Sequence, residues 1–139
     1  MECRLTYAPD DWSCQIKIRW EYDEDDDRYD EVSEEDFGPL LRDKAQVEPM
    51  LRRAQAAVLN PHLPWDVFEE MSDEELRAPK IGDKSPLLFS RNVVCVELSG
   101  PDLVDLSFVD LPGKWGLEYL DTDIDITLSR YRYRSECRC

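Results

Sequence analysis

Cations, histidine and long apolar runs are scarce in this chain. Its 139 residues contain 17 lysines and arginines against 32 aspartates and glutamates, so the formal net charge is −15 at pH 7. This excess of anions argues against general binding to nucleic acid or to an anionic membrane surface, because both carry negative charge. No apolar run approaches the length of a membrane span, and no signal peptide opens the chain. We therefore expect a cytoplasmic protein that does not bind nucleic acid.

Paired cysteines and metal-binding motifs are also lacking. The cysteine count is odd, no Cys-x-x-Cys occurs, and the one histidine, His62, lies in a proline-rich stretch that predicts a turn. We expect reduced thiols. Cys14 and Cys95 lie among apolar residues and are predicted to be small core residues. Cys137 and Cys139 have no histidine partner, so a metal site there is not favoured.

The first half of the chain reads as two strands, an acidic loop and a helix. Residues 13–22 alternate apolar and polar side chains, which predicts a half-buried strand, and residues 3–7 predict a shorter strand paired with it as a hairpin. Acidic residues crowd positions 23–36 and predict a solvated loop, with a helix start at Ser33–Asp36. Apolar residues at helical spacing predict a helix near 47–59.

The second half reads as a proline-rich connection followed by two strands. Ser72 and Glu75 form a capping-box pattern that predicts a short helix. Strands near 92–98 and 104–110 are expected to pair antiparallel, and the second to be a central strand buried on both faces. Four of their residues are predicted to lie in the core: Val94, Val96, Leu106 and Phe108. Together these elements predict an α/β fold with one core.

The candidate site lies at the end of the second of these strands, in Asp110-Leu111-Pro112-Gly113. In an α/β sheet, ligands bind beyond the carboxyl ends of the strands. A carboxylate there can hold Mg²⁺ through water. A glycine three residues later lets a backbone N–H approach a phosphate. Asp, Pro and Gly are also common in turns that bind no ligand. These four residues alone therefore also fit a strand-end turn without a binding role.

The wider segment from Asn92 to Gly113 resembles the dynamin superfamily of large GTPases, including the Mx-type branch. The family has a strand, a Ser/Gly-Pro turn, an x-Asp-Leu step, and a second strand that ends in Asp-Leu-Pro-Gly. Val47–Asn60 is similar to the helix that precedes these strands, and Met1–Tyr7 to the strand after switch I. The resemblance covers roughly residues 1–113 and implies part of a P-loop GTPase domain with a mixed sheet, followed by a divergent tail at 114–139.

The resemblance implies specific roles for the candidate site. In a complete domain, Asp110 would hold Mg²⁺ through water, the Gly113 amide would bind the γ-phosphate, and Leu111 and Pro112 would complete the nucleotide-binding segment. The parent family binds and hydrolyses GTP, self-assembles, and remodels membranes through parts that this chain lacks.

Three signatures of the family are missing from the chain. It contains no Gly-x-x-x-x-Gly-Lys-Ser/Thr loop and no Thr-Lys-x-Asp segment, and the resemblance implies that the switch I threonine, a Mg²⁺ ligand in the family, would lie a few residues before Met1. The chain alone is therefore expected to be inactive and to bind GTP and Mg²⁺ weakly at most. Sequence reasoning leaves one alternative from another class, a non-enzymatic acidic module that binds other proteins.

Overall fold

The computed structural model describes residues 1–78 and 81–110, which form a five-stranded mixed sheet with one long helix. The strands are β1 Glu2–Tyr7, β2 Ser13–Tyr22, β3 Arg28–Leu41, β4 Val93–Gly100 and β5 Leu106–Val109. The helices are α1 Val47–Leu59 and the single-turn α2 Asp73–Leu76, with 3₁₀ turns at Lys44–Gln46 and Trp65–Phe68. The strand order is β3-β2-β4-β1-β5, and only β1 and β4 are parallel. The predicted α/β class is confirmed.

The alternation in β2 decides which face of the sheet is buried. Cys14, Ile16 and Ile18 are buried in the core, whereas Lys17 and Arg19 point to the opposite face. The predicted bounds of β2 agree with the structure. Successive strand residues alternate sides, so this one strand makes the sheet apolar on one face and charged on the other.

Helix α1 covers the apolar face over β2, β3 and β4, and it has the predicted bounds. Its buried positions include Ala54 and Ala57, whose small side chains let the helix approach the sheet closely. Gly38 in β3 has a φ of +70°, and a Cβ there would lie 2.8 Å from Met50 Sδ in α1. The backbone therefore favours glycine, and a larger residue would also displace the end of the Met50 side chain.

The predicted hairpin of the first two strands is wrong, because β4 lies between β1 and β2. In β4, Val94, Cys95 and Val96 are buried in succession, so both faces of this strand are covered. A strand of that kind is most stable with a neighbour on each edge. The continuous apolar run of β4 therefore takes the central position.

The predicted pairing of strands 92–98 and 104–110 is also wrong, because β1 separates β4 from β5. The prediction that 104–110 is a buried central strand fails as well. β5 is an edge strand, with Leu106 51% and Phe108 47% exposed. The reason is that α1 lies over the strands on the other side of β1, whereas Val94 and Val96 in β4 are buried as predicted.

The predicted helix start at Ser33–Asp36 is wrong, since these residues lie within β3 and pair with β2. Cross-strand pairing with Arg19 and Lys17 overrides the helical preference of Glu34 and Asp36. The loop is consequently shorter than predicted, and only the stretch between Tyr22 and Arg28 joins the two strands. The capping box of Ser72 and Glu75 is confirmed at α2.

Candidate functional site

Asp110 lies directly after β5 and is fixed to the first residue of the chain. Its backbone N–H donates to the Met1 carbonyl at 2.7 Å, and the Met1 nitrogen donates to the Asp110 carbonyl at 2.8 Å. Both backbone groups of Asp110 are thus used, and the residue is exposed. The carboxylate at this strand end is available to a ligand.

A second aspartate fixes the other end of β5. The Asp105 carboxylate accepts a hydrogen bond from the Tyr7 backbone N–H at 2.8 Å, just before the strand begins. The two aspartates therefore bracket the pairing of β5 with β1 and determine its register. Sequence reasoning missed the role of Asp105, although its place before a short apolar run was a visible signal.

The rest of the predicted site, Leu111, Pro112 and Gly113, lies outside the described residues. Asp110 therefore stands as a single carboxylate, and no group of three or more potential metal ligands forms within residues 1–78 and 81–110. One carboxylate at a strand end suits a water-bridged Mg²⁺ only when phosphate and other ligands complete the shell. On their own, the described residues do not fit a nucleotide–Mg²⁺ site.

The opposite face of the sheet carries a network of ion pairs centred on Arg4 of β1. Its Nε donates to Glu2 Oε1 at 2.7 Å, and its Nη1 donates to Glu97 Oε1 at 2.8 Å and to Glu34 Oε1 at 2.9 Å. Glu34 belongs to β3, which is three strands away in the sheet. Arg4 therefore ties two strands that are not neighbours.

Arg19 and Lys17 of β2 extend this network. Arg19 lies 3.1 Å from Glu34 and 2.8 Å from Glu2, and Lys17 Nζ lies 3.0 Å from Glu97. Glu34 thus sits between two guanidinium groups and accepts hydrogen bonds from both. Connected pairs of this kind hold each other in place, so each costs less side-chain entropy than an isolated surface pair.

Cys95 is a buried core residue, as predicted, and it lies on the side of the sheet beneath these charges. Its side chain is fully buried, as expected, but its Sγ is 3.9 Å from Glu34 Oε2 on the charged face. Burial raises the pKa of the Cys95 thiol, so the reactive thiolate is disfavoured. Its small size leaves room for Arg4 and Glu34 to meet above it. Cys14 is in the core as predicted.

The electrostatics of the network favour structure over proton transfer. The hydrogen bond from Arg4 is the largest cause that lowers the pKa of both Glu2 and Glu34, and burial opposes it. The pKa of Arg4 is raised by hydrogen bonds to Glu34 first and then to Glu2. Carboxylates held in the ionised form at neutral pH are poor general acids. The geometry therefore supports a clamp on the sheet and not a catalytic pair.

Two basic residues from the segment before β4 hold the acidic loop. Lys84 Nζ lies 3.2 Å from Glu24, and Arg91 Nη1 lies 3.6 Å from Asp26. All four side chains remain at least half exposed, so the loop is solvated as predicted. In contrast, Asp30, Glu31 and Glu35 on β3 form no ion pair with another described residue. The acidic segment therefore has a tethered part and an uncompensated part.

The surface depressions lie away from Asp110. One open depression forms at the end of the sheet where β1 and β4 finish, and it is lined by Asp10, Asp11, Trp12, Ser13, Arg42 and Ser99. Asp110 lies at the opposite end, beside the start of β1. His62 lies in a turn as predicted, and its Nε2 is buried with no hydrogen-bond partner among the described residues. No converging set of catalytic groups forms at either place.

Comparison of the chain with protein-family models, with curated proteins and with solved structures finds no match. Within the described residues, no helix is both long enough and apolar enough to cross a membrane.

Proposed function

We propose that this chain is part of a GTPase domain of the dynamin type, which binds and hydrolyses GTP when the domain is complete. The observation that carries the proposal is the pairing of β5 with β1. An apolar strand that ends in Asp110 runs antiparallel to the strand that resembles the one after switch I. Among the described strands, none pairs with the outer edge of β5, where the resemblance implies a further strand of the sheet.

The exposure of β5 supports this proposal. Leu106 pairs with Leu5, and Phe108 pairs with Cys3, so their side chains continue the apolar face beyond the area that α1 covers. About half of each side chain is nonetheless exposed. In the part of the chain that the structure describes, no strand pairs with the outer edge of β5. An apolar, uncovered edge strand promotes aggregation when the sheet ends there. The same edge can be buried when a further strand of the sheet pairs with it.

The proposed roles follow the resemblance and are limited by what the chain contains. Asp110 would hold Mg²⁺ through water, and the Gly113 amide would contact the γ-phosphate. Mg²⁺ in such a site neutralises the charge that builds on the phosphate oxygens during transfer. Asp105 and Met1 contribute by fixing the strand that carries Asp110. Self-assembly and action on membranes belong to the parent family in this proposal.

The test compares this chain with a longer one translated from the in-frame sequence upstream of Met1. We expect that sequence to encode Gly-x-x-x-x-Gly-Lys-Ser/Thr. The 139-residue chain should show no GTP turnover above buffer, because the phosphate cradle and its lysine are absent. The longer chain should bind GTP with Mg²⁺, as measured by calorimetry.

Asp110→Ala should weaken that binding, whereas Asp102→Ala should leave it unchanged, because Asp102 lies in an exposed turn. An upstream sequence without the phosphate-binding loop would overturn the proposal. Equal GTP affinity for the native chain and Asp110→Ala in the longer chain would overturn the role of Asp110.

A further inference from the structure

We infer that the outer edge of β3 is a docking site for an extended, basic segment of another protein, which adds to the sheet as a further strand. β3 is the longest strand, with 14 residues, and it lies at the edge of the sheet. Residues 28–36 are all exposed, and no other strand of the described chain pairs with their outer side. Unpaired N–H and C=O groups along such an edge can bind an extended peptide.

The charge at this edge specifies the partner. Residues 23–36 contain ten acidic side chains and one basic side chain, Arg28. Only four of the ten form an ion pair within the described residues, namely Glu24, Asp26, Glu34 and Asp36. Asp30, Glu31 and Glu35 on the strand itself form no ion pair with another residue that the structure describes. A basic partner would neutralise these charges and be steered towards them.

Exposed apolar side chains supply contacts for the partner's alternate residues. Tyr29, Val32 and Leu40 of β3 are between 46% and 48% exposed. Backbone hydrogen bonds give affinity in strand addition, and side chains at alternate positions give specificity. Asp30 and Glu31 are successive strand residues and so lie on opposite faces of β3. A segment with basic and apolar residues on both of its faces therefore matches this edge.

The same charges exclude a second copy of this chain as the occupant. Pairing two β3 edges would place uncompensated acids against each other, and the whole chain already carries a net charge of −15. Like charges across a strand pair are destabilising. The acidic edge therefore disfavours pairing with a second copy of this chain and favours a cationic strand. This inference concerns β3 and does not depend on the GTPase proposal, which concerns β5.

The test uses the full chain and a fluorescent peptide of about ten residues in which pairs of arginines alternate with pairs of valines, so that both faces carry charge. Anisotropy should show binding that weakens by at least about tenfold between roughly 0.05 and 0.3 M salt. The triple variant Asp30→Asn, Glu31→Gln, Glu35→Gln should bind about tenfold more weakly than the native chain. The control removes the same charge elsewhere through Asp73→Asn, Glu74→Gln and Asp102→Asn, and it should bind like the native chain.

A second peptide separates strand addition from attraction between charges alone. Methylation of alternate backbone nitrogens keeps every charge and removes the donors that pair with an edge strand. We expect this peptide to bind about tenfold more weakly. Equal binding of both peptides, equal binding by the two triple variants, or no binding at low salt would each overturn the inference.

The sequence also contains Arg130-Tyr-Arg-Tyr-Arg134, a basic segment of the chain's own. We expect the arginine–valine peptide to bind the native chain as well as it binds the variant Arg130→Ser, Arg132→Ser, Arg134→Ser. Binding to the variant alone would make this segment the occupant and overturn the assignment to another protein.

Discussion

The two edges of the sheet are built from opposite kinds of residue. β3 has 14 residues, of which the first nine are exposed, and acidic side chains line it. β5 has four residues, none of them charged, and its apolar side chains are about half exposed. Natural edge strands are protected by charge. The difference indicates that the charges of β3 allow it to pair only with a strand of opposite charge, whereas β5 suits an apolar neighbour.

The largest expected effect comes from an aromatic residue on each edge. Phe37 of β3 is fully buried and packs against Trp65, with the ring centroids 6.1 Å apart, whereas Phe108 of β5 is 47% exposed. Phe37→Ala should lower the free energy of unfolding by about 3–5 kcal/mol, because it leaves a cavity in the core. Phe108→Ala should cost about 1 kcal/mol. Urea denaturation measures both changes, and equal losses of unfolding free energy would show that Phe108 is as buried as Phe37.

Next in size is the ion-pair network that secures β3. Glu34→Gln should cost about 1–2 kcal/mol, because Arg4 and Arg19 each lose a charged partner in a partly exposed setting. Glu35→Gln is the matched control on the same strand. Glu35 forms no ion pair with a described residue, so its loss should stay within about 0.5 kcal/mol. Similar losses of unfolding free energy for the two variants in urea would contradict the role of the ion-pair network in securing β3.

The network also predicts an acid dependence. The pKa of Glu34 and of Glu2 is lowered in the folded chain from a reference value of 4.5. The stabilisation is therefore complete above about pH 4.5 and is lost as the pH falls through the lower folded pKa. Below about pH 4.5 the native chain should lose stability more steeply than Glu34→Gln. Parallel curves of unfolding free energy against pH for the two proteins would count against the network.

The smallest effect on stability is expected from a charge placed on each edge. Phe108→Lys should change the free energy of unfolding by only about 1 kcal/mol, because the side chain is half exposed. It should nevertheless reduce self-association, because a charge on the β5 edge disfavours pairing with another strand. Val32→Lys on β3 should leave self-association unchanged, since acids already guard that edge. Light scattering at matched concentrations measures both. If the two variants lower scattering equally, β5 is not the edge through which the chain associates.

Local patterns in the sequence predicted the elements well. The bounds of β2 and α1 and the capping box at α2 follow from side-chain periodicity and from one hydrogen-bonding motif, both of which are local properties. At Ser33–Asp36 a run of acidic residues led to the prediction of a helix start, whereas these residues lie in β3. Their partners are Arg4, Lys17 and Arg19, which only the folded sheet brings close.

Strand order was not predictable from the same patterns. The hairpin rule pairs strands that are adjacent in sequence, and it failed twice because β1 is inserted between β4 and β5 and β4 between β1 and β2. The sequence of residues 2–7 does not indicate that their pairing partners in β4 lie about ninety positions away. At the candidate site, Asp110 was found from its place at a strand end, but its ties to Met1 depend on that same long-range pairing.

The place of β1 in the sheet also determines when the sheet can form. Cys3 pairs with Val96 on one side and with Phe108 on the other, so β1 has no partner among the described strands until residues 93–109 exist. At about 5–20 residues per second, a ribosome that has made β1 needs on the order of 5–20 s to reach that point. During this time only the β2–β3 hairpin and α1 have local partners. Contacts this distant in sequence slow folding, so β1 is among the last of the described strands to be secured.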